Sequence, residues 1–433
     1  MRARIRVVQE IRGLFVIAIV AATVVAGLNA GASFAVSFHE KGAGYGVLHP
    51  GLHYPAKVSP YVSTADEVVA TIPVGRYPWG VAYDSGMGEV FVTNVNPANV
   101  SVISDTNNTV VATVQVRSGP WEAAYDNGKG EVFVMDQYEY EASVISDTNN
   151  TVVKTIAVGS GPFANGGPLG AAYDGGRGEM FVASTGTTPN LFGNVSVISD
   201  SNDTVVATIR VGTLAEDAAY DSVKGEVFVT NEGSDNISVI SDATNKVVTT
   251  IAVGASPSRV TYDRPKGEVF VTNRGSNNVS VISDVTDKVV ATVAVGNSPV
   301  GVAYDSGTGQ VFVANEVSGN VSVISDATNK VMATVAVGTD PGDVAYDSGK
   351  AEVFVANDGS NNVSVIYAGT TSAGGVGLFG LPGSEGYAIL GVLVVVAAIT
   401  VAAVLVHRRG RAPPTERETP PAQSGSGAPP TPP

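Results

Sequence analysis

The chain has 433 residues, a formal net charge of −15, no cysteine and only 15% charged residues. The absence of cysteine excludes disulfides, thiolate nucleophiles and cysteine-bound metals, and the acidic balance argues against nucleic acid as a partner. The four histidines, His39, His49, His53 and His407, lie outside the repeats described below, so those repeats offer no histidine base or histidine metal ligand.

The amino-terminal segment has the pattern of an export signal. Basic residues between Arg2 and Arg12 precede an apolar run over residues 14–35 that contains small residues near its end. This order predicts an export signal over residues 1–36. The apolar run is also long enough to remain in a membrane as an anchor, so cleavage and retention are both open. Residues 37–66 follow as a linker.

A tyrosine–aspartate pair divides the central part of the chain into seven repeats. It occurs at intervals of 42 to 48 residues, at Tyr83, Tyr125, Tyr173, Tyr220, Tyr262, Tyr304 and Tyr346. A period of this size with strand-like content is typical of a circular array of small sheets. Seven copies predict an all-β fold, a seven-bladed β-propeller over residues 67–369.

One repeat contains four strand patterns, labelled A to D. In the first copy they cover residues 80–83, 89–93, 100–103 and 110–116, separated by turns rich in Asp, Asn and Gly. We therefore predict four-stranded antiparallel blades. The D–A and B–C loops lie on one face, called the upper face, and the A–B and C–D turns lie on the opposite, lower face.

The strand count predicts how the ring closes. The last repeat ends after strand C at residues 363–366, whereas an extra strand D precedes the first repeat at residues 67–74. We expect segment 67–74 to complete the last blade, because this pairing removes an exposed strand edge. Both ends of the propeller then leave its lower face.

The phrase after each tyrosine carries a family resemblance. It contains FVTN at Phe91, Phe228 and Phe270, and FVAN at Phe312 and Phe354, whereas the second and third repeats depart from it. This phrase resembles the YVTN-type propeller repeat of archaeal surface-layer proteins. The resemblance implies a structural or adhesive role at the cell surface. Relatives on similar propellers include enzymes, so the fold does not by itself give the function.

The predicted upper face carries clustered aromatic residues. Trp79 and Trp121 precede their blade tyrosines by four residues, and Tyr138 and Tyr140 lie in the B–C loop of the second blade. With Tyr77 and Leu169, the tryptophans are expected to form an exposed apolar patch suited to binding. The alternative is that both tryptophans plug the mouth of the central channel.

Two rings of polar residues are candidates for ligand or ion contacts. Glu122, Asp217 and Asp343, three residues before their tyrosines, face the predicted channel and are candidate calcium ligands; the alternative is that they are solvated. A second ring follows strand B, where a role in tying loops to the backbone is favoured over ligand binding: Asn94, Asp136, Ser184, Asn231, Asn273, Asn315 and Asn357.

Glycan acceptor patterns of the form Asn-x-Ser/Thr are numerous. They occur at Asn99, Asn107, Asn149, Asn194, Asn202, Asn236, Asn278, Asn320 and Asn362. Six of them share one position at the start of strand C, in every blade except the second. Sugars at these positions would form a ring on the upper rim and leave the second blade bare; the alternative is that the pattern recurs because the module recurs.

The carboxyl-terminal segment predicts a membrane anchor. A glycine-rich linker over residues 370–386 leads to an uncharged stretch of 20 residues, 387–406. A helix of this length spans the hydrocarbon layer. The basic residues at its end are expected to stay in the cytoplasm with the Pro-rich, disordered tail, so that residues 407–433 are cytoplasmic.

Two functions remain open from the sequence. The first is a non-catalytic, membrane-anchored surface protein that binds other surface proteins or glycans, or assembles into a layer, through the upper face. The second is an extracellular propeller lyase or hydrolase that uses upper-face carboxylates with or without a divalent cation. The repeats contain neither histidine nor cysteine, and this favours the non-catalytic surface protein.

Overall fold

The computed structural model describes residues 66–158, 167–186 and 191–369. The predicted signal over residues 1–36, the linkers over 37–65 and 370–386, the span over 387–406 and the tail over 407–433 lie outside the described residues. Within the described ranges, no helix has the length and apolar character needed to cross a membrane.

The described residues form seven four-stranded antiparallel sheets, which confirms the predicted propeller. Blades 1 to 6 each take four consecutive strands, and blade 7 takes the last three described strands and the first described strand.

The strands, in chain order, are β1 (Glu67–Pro73), β2 (Arg76–Asp84), β3 (Glu89–Asn96), β4 (Asn99–Ser104), β5 (Thr109–Gln115), β6 (Pro120–Asp126), β7 (Glu131–Asp136), β8 (Glu141–Ser146), β9 (Thr151–Ala157), β10 (Pro168–Asp174), β11 (Glu179–Ser184), β12 (Phe192–Ser199), β13 (Thr204–Thr213), β14 (Ala215–Asp221), β15 (Glu226–Asn231), β16 (Asn236–Ser241), β17 (Lys246–Ala252), β18 (Pro257–Asp263), β19 (Glu268–Asn273), β20 (Asn278–Ser283), β21 (Lys288–Ala294), β22 (Pro299–Asp305), β23 (Gln310–Asn315), β24 (Asn320–Ser325), β25 (Lys330–Ala336), β26 (Pro341–Asp347), β27 (Glu352–Asn357) and β28 (Asn362–Tyr367). A single 3₁₀ turn, Glu232–Ser234, interrupts the B–C loop of blade 4.

Blade 7 is closed by the first strand, as the sequence predicts. β1 pairs antiparallel with β28, from Glu67 opposite Tyr367 to Pro73 opposite Asn362. Ile72 is buried in this seam and packs in one cluster with Phe354. The described chain therefore enters and leaves the ring at neighbouring strands, both on the lower face, where Ala368 donates a backbone hydrogen bond to Ala351 of the A–B turn.

The core lies between blades, because each sheet buries both of its faces. The phenylalanine of every strand B is fully buried. Phe91 of blade 1 shares a cluster with Val132 and Val134 of blade 2. The repeated tyrosine packs in the opposite direction, so that Tyr83 contacts the cluster around Phe354 of blade 7. Burial of each such side chain contributes roughly 1.5–3 kcal/mol, and the repeated phrase is explained by packing.

The lower-face turns are held by aspartates and lysines. Asp84, which ends strand A, accepts hydrogen bonds from the amides of Gly86 at 2.7 Å and Met87 at 3.1 Å. Asp126, Asp174, Asp305 and Asp347 repeat this contact. Lys350 of blade 7 binds Asp105 of blade 1 and so adds a second contact across the point of closure.

Candidate functional site at the upper mouth of the central channel

The two tryptophans of the chain stack against each other at the upper mouth of the channel. Trp79 and Trp121 each follow a proline at the start of an inner strand, and their ring centroids are 4.5 Å apart with an interplanar angle of 35°. Trp79 also lies over Gly342 of blade 7, where an added Cβ would be 3.3 Å from the indole ring. The pair thus covers the junction of blades 7, 1 and 2.

The exposed surface of this pair is hydrocarbon. Both tryptophans are partly exposed, yet the Nε1 atom of each indole is buried. The solvent-facing part of each ring is therefore carbon, which provides apolar contact area without a hydrogen-bond donor. The sequence left open whether the tryptophans form an exposed apolar patch or plug the channel mouth. The pair does both in part, since it covers the channel mouth and still presents apolar surface.

Two tyrosines beside the pair, Tyr77 and Tyr138, are exposed, and the first of them has an unusual backbone conformation. Tyr77 is 49% exposed and has a φ of +55°, a conformation that is rare for bulky residues. Ser256, Ser298 and Asp340 occupy the same position in other blades. Tyr138 is 60% exposed, and its ring lies over Gly119, where an added Cβ would be 2.5 Å from the ring. Tyr140 is partly buried, with a φ of +58°.

Leu169 is the exception within the predicted apolar patch. Its side chain is only 7% exposed. The prediction that Leu169 belongs to an exposed surface is corrected, because at the repeat position of Trp79 and Trp121 the smaller leucine side chain is buried whereas the larger indoles remain partly exposed. Trp79, Trp121, Tyr77 and Tyr138 of blades 1 and 2 form the exposed aromatic surface around the channel mouth and are called the aromatic patch. Phe192 of blade 3 is also exposed, at 45%, and its ring lies 3.7 Å from the guanidinium carbon of Arg210.

Directly beneath the tryptophans, buried charges fill the channel. Glu122, Asp217 and Asp343 do converge here, as their shared repeat position predicts. Arg259 lies among them, with Nη2 at 2.9 Å from Glu122 Oε2 and Nη1 at 3.3 Å from Glu216 Oε1. These five residues are called the charge layer.

The carboxylates of the charge layer also connect blades. Asp343 Oδ2 accepts a hydrogen bond from the amide of Val81 in blade 1, and Asp217 Oδ2 accepts one from the amide of Val260 in blade 5, both at 3.0 Å. Each carboxylate therefore joins its own blade to the next. This use of the side chains is structural, and it was not visible from the sequence.

Burial sets the protonation of the charge layer. It raises the pKa of Asp217 to about 7, although the Arg259 charge acts in the opposite direction. Burial, followed by the charge of Asp343, raises the pKa of Glu122 well above its usual range. The pKa values of Glu216 and Asp343 are raised by burial as well. The layer therefore retains protons near neutral pH, because one arginine does not neutralise four buried carboxylates.

The arrangement does not favour the predicted calcium site. Among the described residues, no group of three or more acidic or histidine side chains is placed to hold a metal ion. Arg259 occupies the space between the candidate ligands and supplies positive charge there. Arg259 precedes Tyr262 by three residues and so shares the repeat position of the three carboxylates; a lone cation in an acidic ring is the sequence signal that could have identified it.

The ring of amides after strand B has a structural role, as favoured from the sequence. Asn94 is buried, and its Nδ2 donates to Asn99 Oδ1 at 2.9 Å and to Ser101 Oγ at 3.0 Å. The same pair of bonds recurs from Asn231, Asn273, Asn315 and Asn357. In blade 2, Asp136 accepts from Ser143 Oγ at 2.6 Å instead. These bonds close the B–C hairpins of blades 1, 2, 4, 5, 6 and 7.

The glycan acceptor patterns fall into two structural groups. At the start of strand C, Asn99 and Ser101 are 6% and 3% exposed and belong to the amide network; the same contacts occupy Asn236, Asn278, Asn320 and Asn362. The expected ring of sugars on the upper rim is therefore not favoured in the folded chain. The three C–D turn sites, Asn107, Asn149 and Asn202, are exposed on the lower face.

Comparisons with known proteins support the fold alone. No protein-family model and no curated protein sequence matches the chain. Among solved structures, hydrazine synthase from Kuenenia stuttgartiensis is similar, with a TM-score of 0.59 and 19% identity over 67% of this chain and 95% of that chain. At this identity the likeness extends to the propeller and not to an activity.

Proposed function

We propose that this chain is a membrane-anchored, non-catalytic cell-surface protein that binds another surface protein or a glycan through the aromatic patch. The observation that carries the proposal is the concentration of exposed aromatic carbon, among the described residues, in adjacent blades 1 and 2, with Phe192 of the neighbouring blade 3 also exposed. The tryptophan pair contributes carbon surface alone, and Tyr77 and Tyr138 are both about half exposed or more. Apolar and aromatic surface of this kind is enriched where proteins bind partners.

The position of the two described ends supports this orientation. Residues 66 and 369 both lie on the lower face, next in sequence to the segments that carry the pattern of an export signal and of a membrane span. An anchor on that side leaves the aromatic patch on the side away from the membrane. The resemblance to YVTN-type surface-layer repeats favours the same location, and in a surface layer the partner is a neighbouring envelope protein.

The enzyme alternative has weaker support. Raised pKa values in a channel are typical of catalytic acids, and Asp217 with a pKa of about 7 has that property. However, the carboxylates of the charge layer are buried, and they are bound to Arg259 or to backbone amides of the next blade. A substrate that approached from the upper face would have to displace both the tryptophan pair and these bonds.

Topology is tested most cleanly by thiol labelling, because the chain has no cysteine. We expect a membrane-impermeant maleimide to label Ser118→Cys, an exposed site on the upper face, in intact cells that express the full chain. Ser424→Cys in the tail should react only after the membrane is permeabilised. Labelling of the tail in intact cells, or protection of residue 118, contradicts the proposed orientation.

Binding is tested with the full chain in lipid vesicles that are mixed with purified envelope fragments and with immobilised glycans. We expect Trp79→Ala/Trp121→Ala and Tyr138→Ala to lower retention on one of these materials at least fivefold. Val317→Ala is the matched control, since Val317 occupies the position of Tyr138 in blade 6 and is 69% exposed. Equal retention of all variants contradicts binding through the aromatic patch, and hydrolysis or elimination of a glycan by the wild type favours the enzyme.

A further inference from the structure

A second cavity opens on the lower face, opposite the aromatic patch. Its volume is about 460 Å³, and its lining residues come from the inner strands and A–B turns of blades 7, 1, 2 and 3. Ser85 and Asn127 stand at its rim, and Val81 and Ala123 lie at its deep end. This cavity is called the vestibule.

The vestibule is separate from the upper mouth. Val81 and Ala123 directly follow the sequence position that carries Glu122, Asp343 and Arg259, so the vestibule ends below the charge layer, and no charge-layer residue lines it. A ligand that enters from the lower face therefore contacts the inner strands below the charge layer, and neither Trp79 nor Trp121 lines its site. The two ends of the channel are chemically distinct sites.

Tyrosines are the largest side chains in the vestibule wall. Four of the repeated tyrosines line it, namely Tyr83, Tyr125, Tyr173 and Tyr346. Their hydroxyls face carboxylates rather than the cavity centre; Tyr173 Oη, for example, donates to Asp200 Oδ2 at 2.9 Å. A phenol that donates to a carboxylate keeps its ring electron-rich, and electron-rich rings attract cations.

Carboxylates surround these tyrosines from both neighbouring blades. Tyr125 lies between Asp84 of blade 1 and Asp147 of blade 2, and Tyr173 lies between Asp126 and Asp200 in the same manner. The nearby cations are already paired: Lys129 with Asp203, Arg177 with Glu179, and Lys350 with Asp105. Residues 67–369 as a whole carry 34 acidic and 15 basic residues. The potential inside the vestibule is therefore negative.

We propose that the vestibule binds a small organic cation of the quaternary ammonium class. Aromatic walls, a negative potential and a volume well above that of one such ion suit a cation whose charge is spread over alkyl groups. A bare divalent ion is a poorer match, because no metal-binding group of acidic side chains is formed in the described residues. The vestibule lies off-centre, against blades 7, 1, 2 and 3. Arg264 occupies the repeat position of Ser85 in blade 5, on the opposite side of the ring, so its positive charge does not line the vestibule.

The proposal is tested by calorimetry on the full chain in detergent, with choline as the probe. We expect choline to bind, and 3,3-dimethylbutan-1-ol, its neutral isostere, to bind at least tenfold more weakly. Added salt should weaken choline binding, because the attraction is electrostatic. Absence of choline binding at tens of millimolar, or equal binding of the neutral isostere, overturns the proposal.

Repeat symmetry supplies matched controls. Tyr125→Leu should weaken choline binding about tenfold, which is the size of one partly desolvated cation–π contact. Tyr262→Leu changes the same repeat position in blade 5, outside the vestibule lining, and should alter affinity less than twofold. Equal losses in both variants show that the tyrosine acts through folding alone and contradict the proposal.

Substitutions at the exposed rim of the vestibule test choline binding without altering buried side chains. Asn127→Lys adds positive charge at the entrance and should weaken choline binding at least fivefold. Ser306→Lys places the same charge at the equivalent exposed position in blade 6 and should have little effect. The Trp79→Ala/Trp121→Ala variant should retain choline affinity; loss of affinity there assigns the cation to the indoles and overturns a site in the vestibule.

Discussion

The hydroxyl of Thr93 in blade 1 donates a hydrogen bond to the backbone carbonyl of Trp121 in blade 2, over 2.8 Å. The same hydroxyl accepts from the amide of Gly80, also at 2.8 Å. Thr230 and Thr272 make the equivalent bonds to Ser258 and Val300. The threonine of the FVTN phrase is thus a contact between blades, and in blade 1 it fixes the backbone that carries one half of the tryptophan pair.

Removal of this contact should lower stability and loosen the tryptophan pair. Thr93→Ala leaves a buried amide and a buried carbonyl without their partner, which costs roughly 1–3 kcal/mol. We expect a lower urea midpoint and a change in tryptophan fluorescence, since Trp79 and Trp121 are the only fluorescent indoles. Thr113→Ala, on the exposed outer strand of blade 1, should stay within about 0.5 kcal/mol of the wild type. Equal effects of the two substitutions contradict the role of Thr93.

The closing strand should contribute to global stability through its buried side chains. Ile72 of β1 is buried against blade 7, whereas Val69 of the same strand is exposed. Ile72→Ala should cost about 2–5 kcal/mol, the usual range for a buried isoleucine, and should increase proteolysis near residue 70. Val69→Ala should cost less than 1 kcal/mol by chemical denaturation. A small effect of Ile72→Ala means that the ring is held shut by other contacts.

The fold was predictable because every blade repeats the same local signals. Strand alternation, Asx turns and the Tyr-Asp pair recur seven times, so that the period gives the blade count. The offset of strand D gives the closure, and the pairing of Glu67 with Tyr367 agrees with it. Regular repetition leaves few alternative pairings, and this is why the register could be anticipated.

The candidate site was less predictable, because it is formed across blades. Arg259 meets Glu122 although 137 positions separate them in the chain, and no local pattern encodes that distance. Repeat alignment placed both residues at one level of the channel, but burial and pairing depend on side-chain directions around the axis. Leu169 was misjudged for the same reason, since an apolar residue near the mouth can face inward or outward.

The charge layer predicts that stability falls as pH rises. Burial raises the pKa of Asp217 in the folded chain to about 7, from an ordinary value of 3.8. The folded state therefore binds more protons than the unfolded state between about pH 4 and pH 7, and the stabilisation that is present at low pH is lost across that window. Glu122, Glu216 and Asp343 shift in the same direction.

Substitution of Asp217 should flatten this profile. Asp217→Asn removes one titrating group and should reduce the loss of unfolding free energy between pH 5 and pH 8 by on the order of 2–3 kcal/mol, at about 1.4 kcal/mol per pKa unit. Urea denaturation at both pH values measures the difference. Glu139→Gln, an exposed carboxylate on the upper face, should leave the profile unchanged. A wild-type stability that rises from pH 5 to pH 8 contradicts the assignment.

Glycan occupancy, if the chain is exported in a glycosylating host, should follow exposure. The C–D turn sites Asn107, Asn149 and Asn202 are exposed, whereas Ser101 in the strand-C pattern is buried within the amide network. We expect peptide mass spectrometry to find higher occupancy at the turn sites. Thr109→Ala removes the acceptor pattern at Asn107 and should lower the intact mass by one glycan. Glycans found mainly at the strand-C sites would contradict this expectation and would support a ring of sugars on the upper rim.

The backbone of Tyr77 offers a test that separates stability from binding. Its φ of +55° is one that glycine adopts without cost and that a bulky residue adopts at a cost of order 1 kcal/mol. Tyr77→Gly should therefore leave the midpoint of thermal unfolding unchanged or raise it. The same substitution should lower retention on envelope material or glycans, because half of the ring faces solvent in the aromatic patch.

Ser256→Gly is the matched control for that substitution. Ser256 occupies the equivalent position in blade 5 with a φ of +50°, and its backbone bonds to Asp235 and Arg274 persist in glycine. Both variants should gain similar stability, but only Tyr77→Gly should lose binding. A large loss of stability in Tyr77→Gly would mean that the ring is retained for packing. Undiminished binding by Tyr77→Gly would show that Tyr77 does not contribute to the aromatic patch. The strained backbone of this exposed tyrosine would then have no role in binding.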